Sequence, residues 1–272
     1  MTKLTIYCTS INYYKILDKL PEYVQPLGLG CNIFPSNWLN DTNEINISHL
    51  NKYYGEMTGI YWIWKNKLRN FSDKDWIGNC HYRKWWLNGL YKKKDKFTIN
   101  SLYSKLLSAN NHIFNESESI QVQPTILNRE TLSEQFENVH GKNNIINECV
   151  KLLDSKNRNK FEEYLNQNKI SQLNMFITRK FFFNKYCEEI FPWLEKCLNF
   201  FLKNKLCKGY NIRLPAFLAE RFTSYWFYTN TAANYLSYCR IGKFMLSNKI
   251  NSFFNPTKIP FTFRTYPTIH DY

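Results

Sequence analysis

Glycine and proline are scarce in this chain of 272 residues, nine of each, which excludes collagen-like repeats and linker-dominated architectures. No apolar run approaches the roughly 18 residues needed to cross a bilayer, so no transmembrane helix is expected. No Cys-x-x-Cys occurs either. The eight cysteines, at 8, 31, 80, 149, 187, 197, 207 and 239, form neither a zinc frame nor a disulfide framework and read as reduced, mostly buried thiols. The opening Met1-Thr-Lys-Leu-Thr-Ile-Tyr-Cys8 turns polar at Thr9-Ser10 without the apolar stretch of a signal peptide, so a cytoplasmic protein is expected. Acidic residues are few: 22 Asp and Glu stand against 36 Lys and Arg, a formal charge of +14.

What is abundant is aromatic. Phe, Trp and Tyr make up 18% of the chain and apolar residues 44%, ample for a core, so wholesale disorder is excluded. The basic balance favours a polyanionic partner, whether nucleic acid, an anionic membrane surface or a phosphate-bearing substrate. Composition does not choose among the three.

Lys3–Cys8 reads as a short buried strand, and 21–44, with Pro21, Pro26, Gly28, Gly30 and Pro35, as loop. One helix is predicted over Ser48–Asn66, with Ser48 as its N-cap and Tyr54, Met57, Trp64 at helical spacing. Asp75–Tyr82 is the second strong strand. Further strands are expected at Ile120–Gln123 and Asn174–Thr178, and helices at 100–109, about 130–168, Phe181–Lys203 and Pro215–Tyr228. Strands alternating with helices argue for a layered α/β domain with a mostly parallel central sheet, whose ligands bind at the carboxyl ends of the strands.

That rule directs attention to His81-Tyr82-Arg83-Lys84. Alternation along the strand puts His81 and Arg83 on one face and Tyr82 on the other. Cationic groups at a strand's carboxyl end suit a diphosphate; a solvated basic loop is the other reading. Asp73-Lys74-Asp75 is an Asp-x-Asp of the kind that holds a divalent metal on nucleotide sugars, but it falls at the strand's amino end and reads as a turn. Glu56, among the aromatics of its helix, needs a cationic partner such as Arg83 or Lys65. Glu220, in Ala219-Glu-Arg221, is either half of a surface pair or a general base. His140-Gly141 is either a helix end or part of an acceptor site.

Asn46-Ile-Ser48, Glu56-Met-Thr-Gly-Ile-Tyr-Trp-Ile-Trp-Lys-Asn66, Gly78-Asn-Cys-His-Tyr-Arg-Lys84, Asn174-Met-Phe-Ile177 with Tyr186-Cys187, and Ala219-Glu-Arg221 occur in one order. In that order the chain, from about Lys3 to Trp226, resembles the bacterial family catalogued as domain of unknown function 4422, whose members look like glycosyltransferases of capsule and O-antigen clusters. The resemblance implies a GT-A-like single domain over 1–239 with a helical or irregular extension at 240–272. It also implies transfer of a hexose, galactose or galactofuranose, from a nucleotide donor, UDP-linked by expectation, to a glycan or lipid-linked glycan. Carried over residue by residue, it places Glu56, Thr58, Lys65, Asn66, His81, Tyr82, Arg83, Asn174, Glu220 and Arg221 in the site; of these, Glu56 and Glu220 are read as catalytic and Thr58, Lys65, Asn66, His81, Tyr82 and Arg83 as donor-binding. Asn174 and Arg221, together with His140 from its own place in the chain, are read as acceptor-binding or site-lining. Two departures are Lys84, where a second Arg is usual, and Pro215-Ala-Phe, where a glycine-aromatic pair is usual. No tightly bound cofactor and no metal ligand is assigned, and dependence on Mn²⁺ or Mg²⁺ stays open.

Two further expectations complete the reading. Residues 240–272, with Arg240, Lys243, Lys249, Lys258 and Arg264 among phenylalanines, would either rest on the anionic inner face of a bacterial membrane or pack as an ordinary terminal segment. The rival function is nucleic-acid binding through basic and aromatic side chains, yet no recognition motif stands out and no nucleic-acid partner is expected.

Overall fold

Leu4–Ser10 form strand β1, and all seven residues are buried. Leu4, Ile6 and Cys8 pack into one apolar cluster and Tyr7 into a second, as a strand covered on both faces requires. The computed structural model describes residues 3–91, 99–141, 144–241 and 262–263. In chain order the other strands are Val24–Gly28 (β2), Leu39–Asn40 (β3), Trp76–His81 (β4), Lys84–Trp86 (β5), Ser119–Val122 (β6) and Thr125–Ile126 (β7). Lys169–Ile170 (β8), Phe176–Arg179 (β9), Ala233–Leu236 (β10), Tyr238–Arg240 (β11) and Thr262–Phe263 (β12) follow. The helices are Asn51–Tyr54 (α1), Met57–Asn66 (α2), Ile99–Tyr103 (α3), Leu132–His140 (α4), Ile145–Lys151 (α5), Ser155–Leu165 (α6), Lys180–Lys203 (α7) and Leu214–Asn230 (α8).

The main sheet runs β10-β6-β9-β4-β1-β2-β3. All neighbours on this path are parallel except at β9, which is antiparallel to both β4 and β6. This is the mostly parallel α/β architecture expected from the sequence. Helices α1, α2 and α4–α8 cover one face; Trp85, Trp86, Leu102, Leu107 and Cys239 cluster on the other. Helix α2 lies close on the sheet because Gly59 has no side chain: a Cβ there would meet Leu29, Thr9 and Leu27 at 2.9–3.2 Å. All eight cysteines are free, and six of them are buried.

The structure corrects several boundaries. Residues 21–44 are not all loop, since β2 pairs with β1 across Cys8↔Pro26. Pro26 is tolerated because β3 pairs only with Leu27 and Gly28, beyond it. The single helix expected over Ser48–Asn66 is a 3-10 turn, Ser48–Leu50, followed by two helices. Gly55, at φ +53° and ψ −129°, breaks it with a backbone that disfavours other residues. Ser48 is not an N-cap; its hydroxyl hydrogen-bonds Asn46 Oδ1 at 2.8 Å. The helical stretch 130–168 divides into α4, α5 and α6. Most of the basic segment 88–97 and of the tail, namely 92–98, 242–261 and 264–272, lies outside the described residues.

Candidate active site

The carboxyl ends of β1 and β4 open into a cleft of about 440 Å³. Strand β4 stops at His81, and Tyr82-Arg83 make a two-residue turn into β5, with His81 opposite Lys84. The alternation expected through Arg83 therefore ends two residues early, and His81, Tyr82, Arg83 and Lys84 all line the cleft. Tyr82 stacks on Tyr14 with centroids 5.0 Å apart, and the Arg83 guanidinium lies over the Tyr82 ring at 5.1 Å. Strand β11 brings Arg240, the first residue assigned to the tail, into register with Lys84. With Lys52 and Arg213, the cleft presents five cations against two carboxylates, Glu56 and Glu220.

Glu56 precedes the first turn of α2 and is held on both oxygens. Oε1 accepts from Asn174 Nδ2 at 2.8 Å, and Oε2 pairs with Arg213 at 3.2 Å. Burial pushes the Glu56 carboxyl up, but His81, Arg213 and Asn174 together outweigh it and hold it below the ordinary range. The end of the Arg213 guanidinium abuts Gly55 so closely that a Cβ there would collide with it. Asn174 itself has left-handed backbone (φ +49°), as does Leu173 before it (φ +87°). Asn79, buried in β4, holds this turn: its Nδ2 donates to Asn174 O at 2.8 Å, and its Oδ1 accepts from Phe176 N at 3.1 Å. Because the turn occupies Leu173-Asn174, β9 begins at Phe176 and not at Asn174 as expected.

His81 Nε2 faces Leu173 O at 2.7 Å, so the neutral ring carries its proton there. Burial, only partly countered by Glu56, lowers His81 to about 4. Lys84 is lowered to about 8, chiefly by burial, with Glu220 and Glu56 pulling it back up. Glu220 is raised to about 6 by burial and then by the Glu56 charge. One carboxylate is thus locked and ionised while the other stands free to exchange a proton near neutrality.

The remaining assigned residues sit off the cleft. Thr58 is buried, donating to Asp41 Oδ2 at 2.6 Å and accepting from Asn51 Nδ2 at 3.0 Å; Asp41 Oδ1 in turn holds Gly30 N at 2.7 Å. Lys65 is exposed over the Trp64 ring, and Asn66 ties the backbone of Ile45. Arg221 points to α4, over Phe136 and against Gln135. His140 is buried behind the cleft, where Nδ1 meets Asn211 Oδ1 at 3.0 Å and Asn211 Nδ2 returns a bond to His140 O at 2.8 Å. That pair anchors the 3-10 turn Gly209–Arg213, which carries Arg213. Sequence reasoning missed Arg213, whose surroundings in the chain show no pattern, and Asn79, whose signal was a polar residue inside an apolar strand.

Divalent metal does not suit this donor set. Glu56 is committed to Arg213 and Asn174, Glu220 stands beside Lys84, and among the described residues no three His, Cys, Asp or Glu converge. Asp75 of the Asp-x-Asp accepts from Lys3 N and Ser72 N at the far end of β4. No helix among the described residues is long and apolar enough to cross a membrane.

The histidines set an acid limit on stability. His140, like His81, is lowered to about 4, mainly by burial. Between pH 6.5 and 4 the unfolded chain therefore binds protons that the folded one refuses, and stability falls as pH drops through that window. Glu220, raised in the fold, acts in the opposite sense between about 4.5 and 6, as does Asp41, raised by burial from its lower ordinary value; the two histidines carry the larger shifts over the wider window. The melting temperature is expected to climb from pH 4 to about 6.5, and His140→Gln to flatten the climb; an unchanged slope in that variant would contradict the assignment.

The profile of a family described as "Domain of unknown function (DUF4422)" matches residues 5–231. Among solved structures, the apo form of WbbM, a bifunctional glycosyltransferase, is similar with a TM-score of 0.72 and 17% identity over 89% of this chain. The match takes in 46% of that structure, so this chain spans about half its length. A search of curated proteins gives no match. The likeness is one of fold: the two share a layered α/β architecture, in this chain a mostly parallel central sheet flanked by helices.

Proposed function

Because the chain belongs to the family described as domain of unknown function DUF4422, and is similar in fold to a bifunctional glycosyltransferase, we propose that it transfers a sugar from a nucleotide donor to a glycan acceptor. The observation that carries the proposal is the cleft at the carboxyl edge of the sheet, in which Arg83, Lys84 and Arg240 surround space beside Glu220. The three cations bind the donor diphosphate and take up the charge that builds on it as the sugar leaves. In a direct displacement, Glu220 accepts the proton of the acceptor hydroxyl as that oxygen attacks the anomeric carbon. The bond to the diphosphate breaks, and its electron pair leaves with the nucleotide. Glu56 is a fixed anion that positions Arg213 and Asn174. Sugar nucleotides of uridine, and galactose or galactofuranose as the sugar, are the first to try; a growing capsular or O-antigen glycan, free or on a lipid carrier, is the corresponding acceptor.

The rival nucleic-acid reading finds little support. Seven of the eight tryptophans that would stack bases, Trp38, Trp62, Trp76, Trp85, Trp86, Trp193 and Trp226, are buried in the core. A release assay tests the proposal. Wild-type protein incubated with a panel of UDP-, GDP- and dTDP-sugars is expected to liberate nucleotide from one of them, and Arg83→Ala to lower kcat/KM by about ten- to a hundred-fold. Release unaffected by that substitution would remove Arg83 from the mechanism, and no release from any donor would count against the function.

A further inference from the structure

Next to Glu220 the cleft carries an aromatic feature that the donor chemistry does not use. Phe217 lines the cleft and lies three residues before Glu220 on α8, so the two share a helix face. Tyr210 stacks on Phe217 with centroids 5.2 Å apart at 26°, and both rings stack on His140, at 5.7 Å and 7° for Tyr210 and 4.7 Å and 25° for Phe217. His140 is 5% exposed, Phe217 half-buried and Tyr210 48% exposed. The three rings form one cluster: buried His140 is fixed, half-buried Phe217 reaches the cleft wall, and Tyr210, stacked on Phe217, keeps an exposed face beside it. The fixing is specific, since the reciprocal bonds between His140 and Asn211 hold the residue next to Tyr210. Tyr210 is also close enough to the catalytic carboxylate for the Glu220 charge to raise its phenol, after burial. Among the described residues the other exposed aromatics, Phe181 and Tyr228, lie at the start of α7 and the end of α8, and neither stacks on a residue that lines the cleft.

We infer that Tyr210 and Phe217 form a stacking platform for a sugar ring of the acceptor, seated so that one of its hydroxyls reaches Glu220. One face of a pyranose is a patch of C–H groups that packs on an aromatic ring as aliphatic surface does, while its hydroxyls stay at the edge. Such a platform selects sugars with an uninterrupted C–H face and tolerates variation in the rest of the glycan. The inference rests on the glycosyl-transfer reading, and its test separates the two.

The probes are uridine diphosphate and a panel of methyl glycosides of galactose, glucose, mannose and N-acetylglucosamine, followed by saturation-transfer NMR on full-length protein. At least one glycoside is expected to receive saturation at its ring C–H protons in the wild type. Tyr210→Ala is expected to weaken that binding about ten-fold, and Tyr210→Phe to keep it. The affinity for uridine diphosphate should be the same in all three proteins. Equal transfer in Tyr210→Ala, or no transfer to any glycoside in the wild type, would overturn the platform. Loss of nucleotide affinity in Tyr210→Ala would overturn it too, by showing a structural role. A wild type that binds no nucleotide would instead remove the proposed function.

Discussion

Glu220→Gln is expected to lower kcat for sugar transfer by about 10²- to 10⁴-fold while leaving donor affinity unchanged or tighter. The amide keeps the shape of the side chain but cannot take a proton, and it removes a negative charge from beside Lys84. The pH profile adds a second readout. Glu220 must be ionised to act as base, so kcat/KM should fall about tenfold per pH unit below about 6. Lys84 must be protonated to hold the diphosphate, so kcat/KM should fall again above about 8. The wild-type profile is thus a bell with limbs near 6 and 8, and Glu220→Gln should lose the acid limb while keeping the basic one. A variant that keeps both limbs, or most of its activity, would show that the base is another group.

The largest effect on stability is expected at Asn174, which is 1% exposed. Its side chain donates to Glu56 and accepts from Thr223 Oγ1 at 3.1 Å, and its backbone is left-handed. Asn174→Ala leaves buried Glu56 Oε1 without its Asn174 donor and Thr223 with Tyr186 alone, and it forces a Cβ-bearing residue with no compensating side-chain bond into that backbone, a loss of about 3 kcal/mol. In a chain of this size such a loss lowers the melting temperature by roughly 10 °C. Asn174→Gly relieves the backbone but not the bonds, and should recover about 1 kcal/mol of the loss. Thermal unfolding of the two variants beside wild type checks this. Equal melting temperatures for Asn174→Ala and wild type would mean that the turn does not depend on its side chain.

Much of this architecture was legible because the elements that build it are long or continuously apolar. Strands β1 and β4 and helices α7 and α8 follow from runs and 3.6-residue spacing, and the parallel-sheet rule then pointed to the carboxyl end of β4. Strand β2 was hidden by Pro26 and Gly28, which read as loop until β1 supplies a partner, and β3, β5 and β11 are too short to show a period. At the site, proximity in sequence misled where helical geometry intervenes. Arg221 follows Glu220 but is turned about 100° around α8, toward α4. Lys65 and Asn66 share a motif with Glu56 yet stand about 14 Å further along α2. Arg213 and Arg240 come from segments with no motif at all and reach the cleft only through the fold.

The account's central claim is that the cations at the end of β4 grip the two phosphates of a sugar nucleotide. Isothermal titration of uridine diphosphate into the wild type and into Lys84→Met tests it most directly, at pH 7 and low salt. Binding in the wild type that weakens at least about tenfold in Lys84→Met is the predicted result. Equal affinity in the two proteins, with Lys84→Met folded as judged by its melting curve, would contradict it.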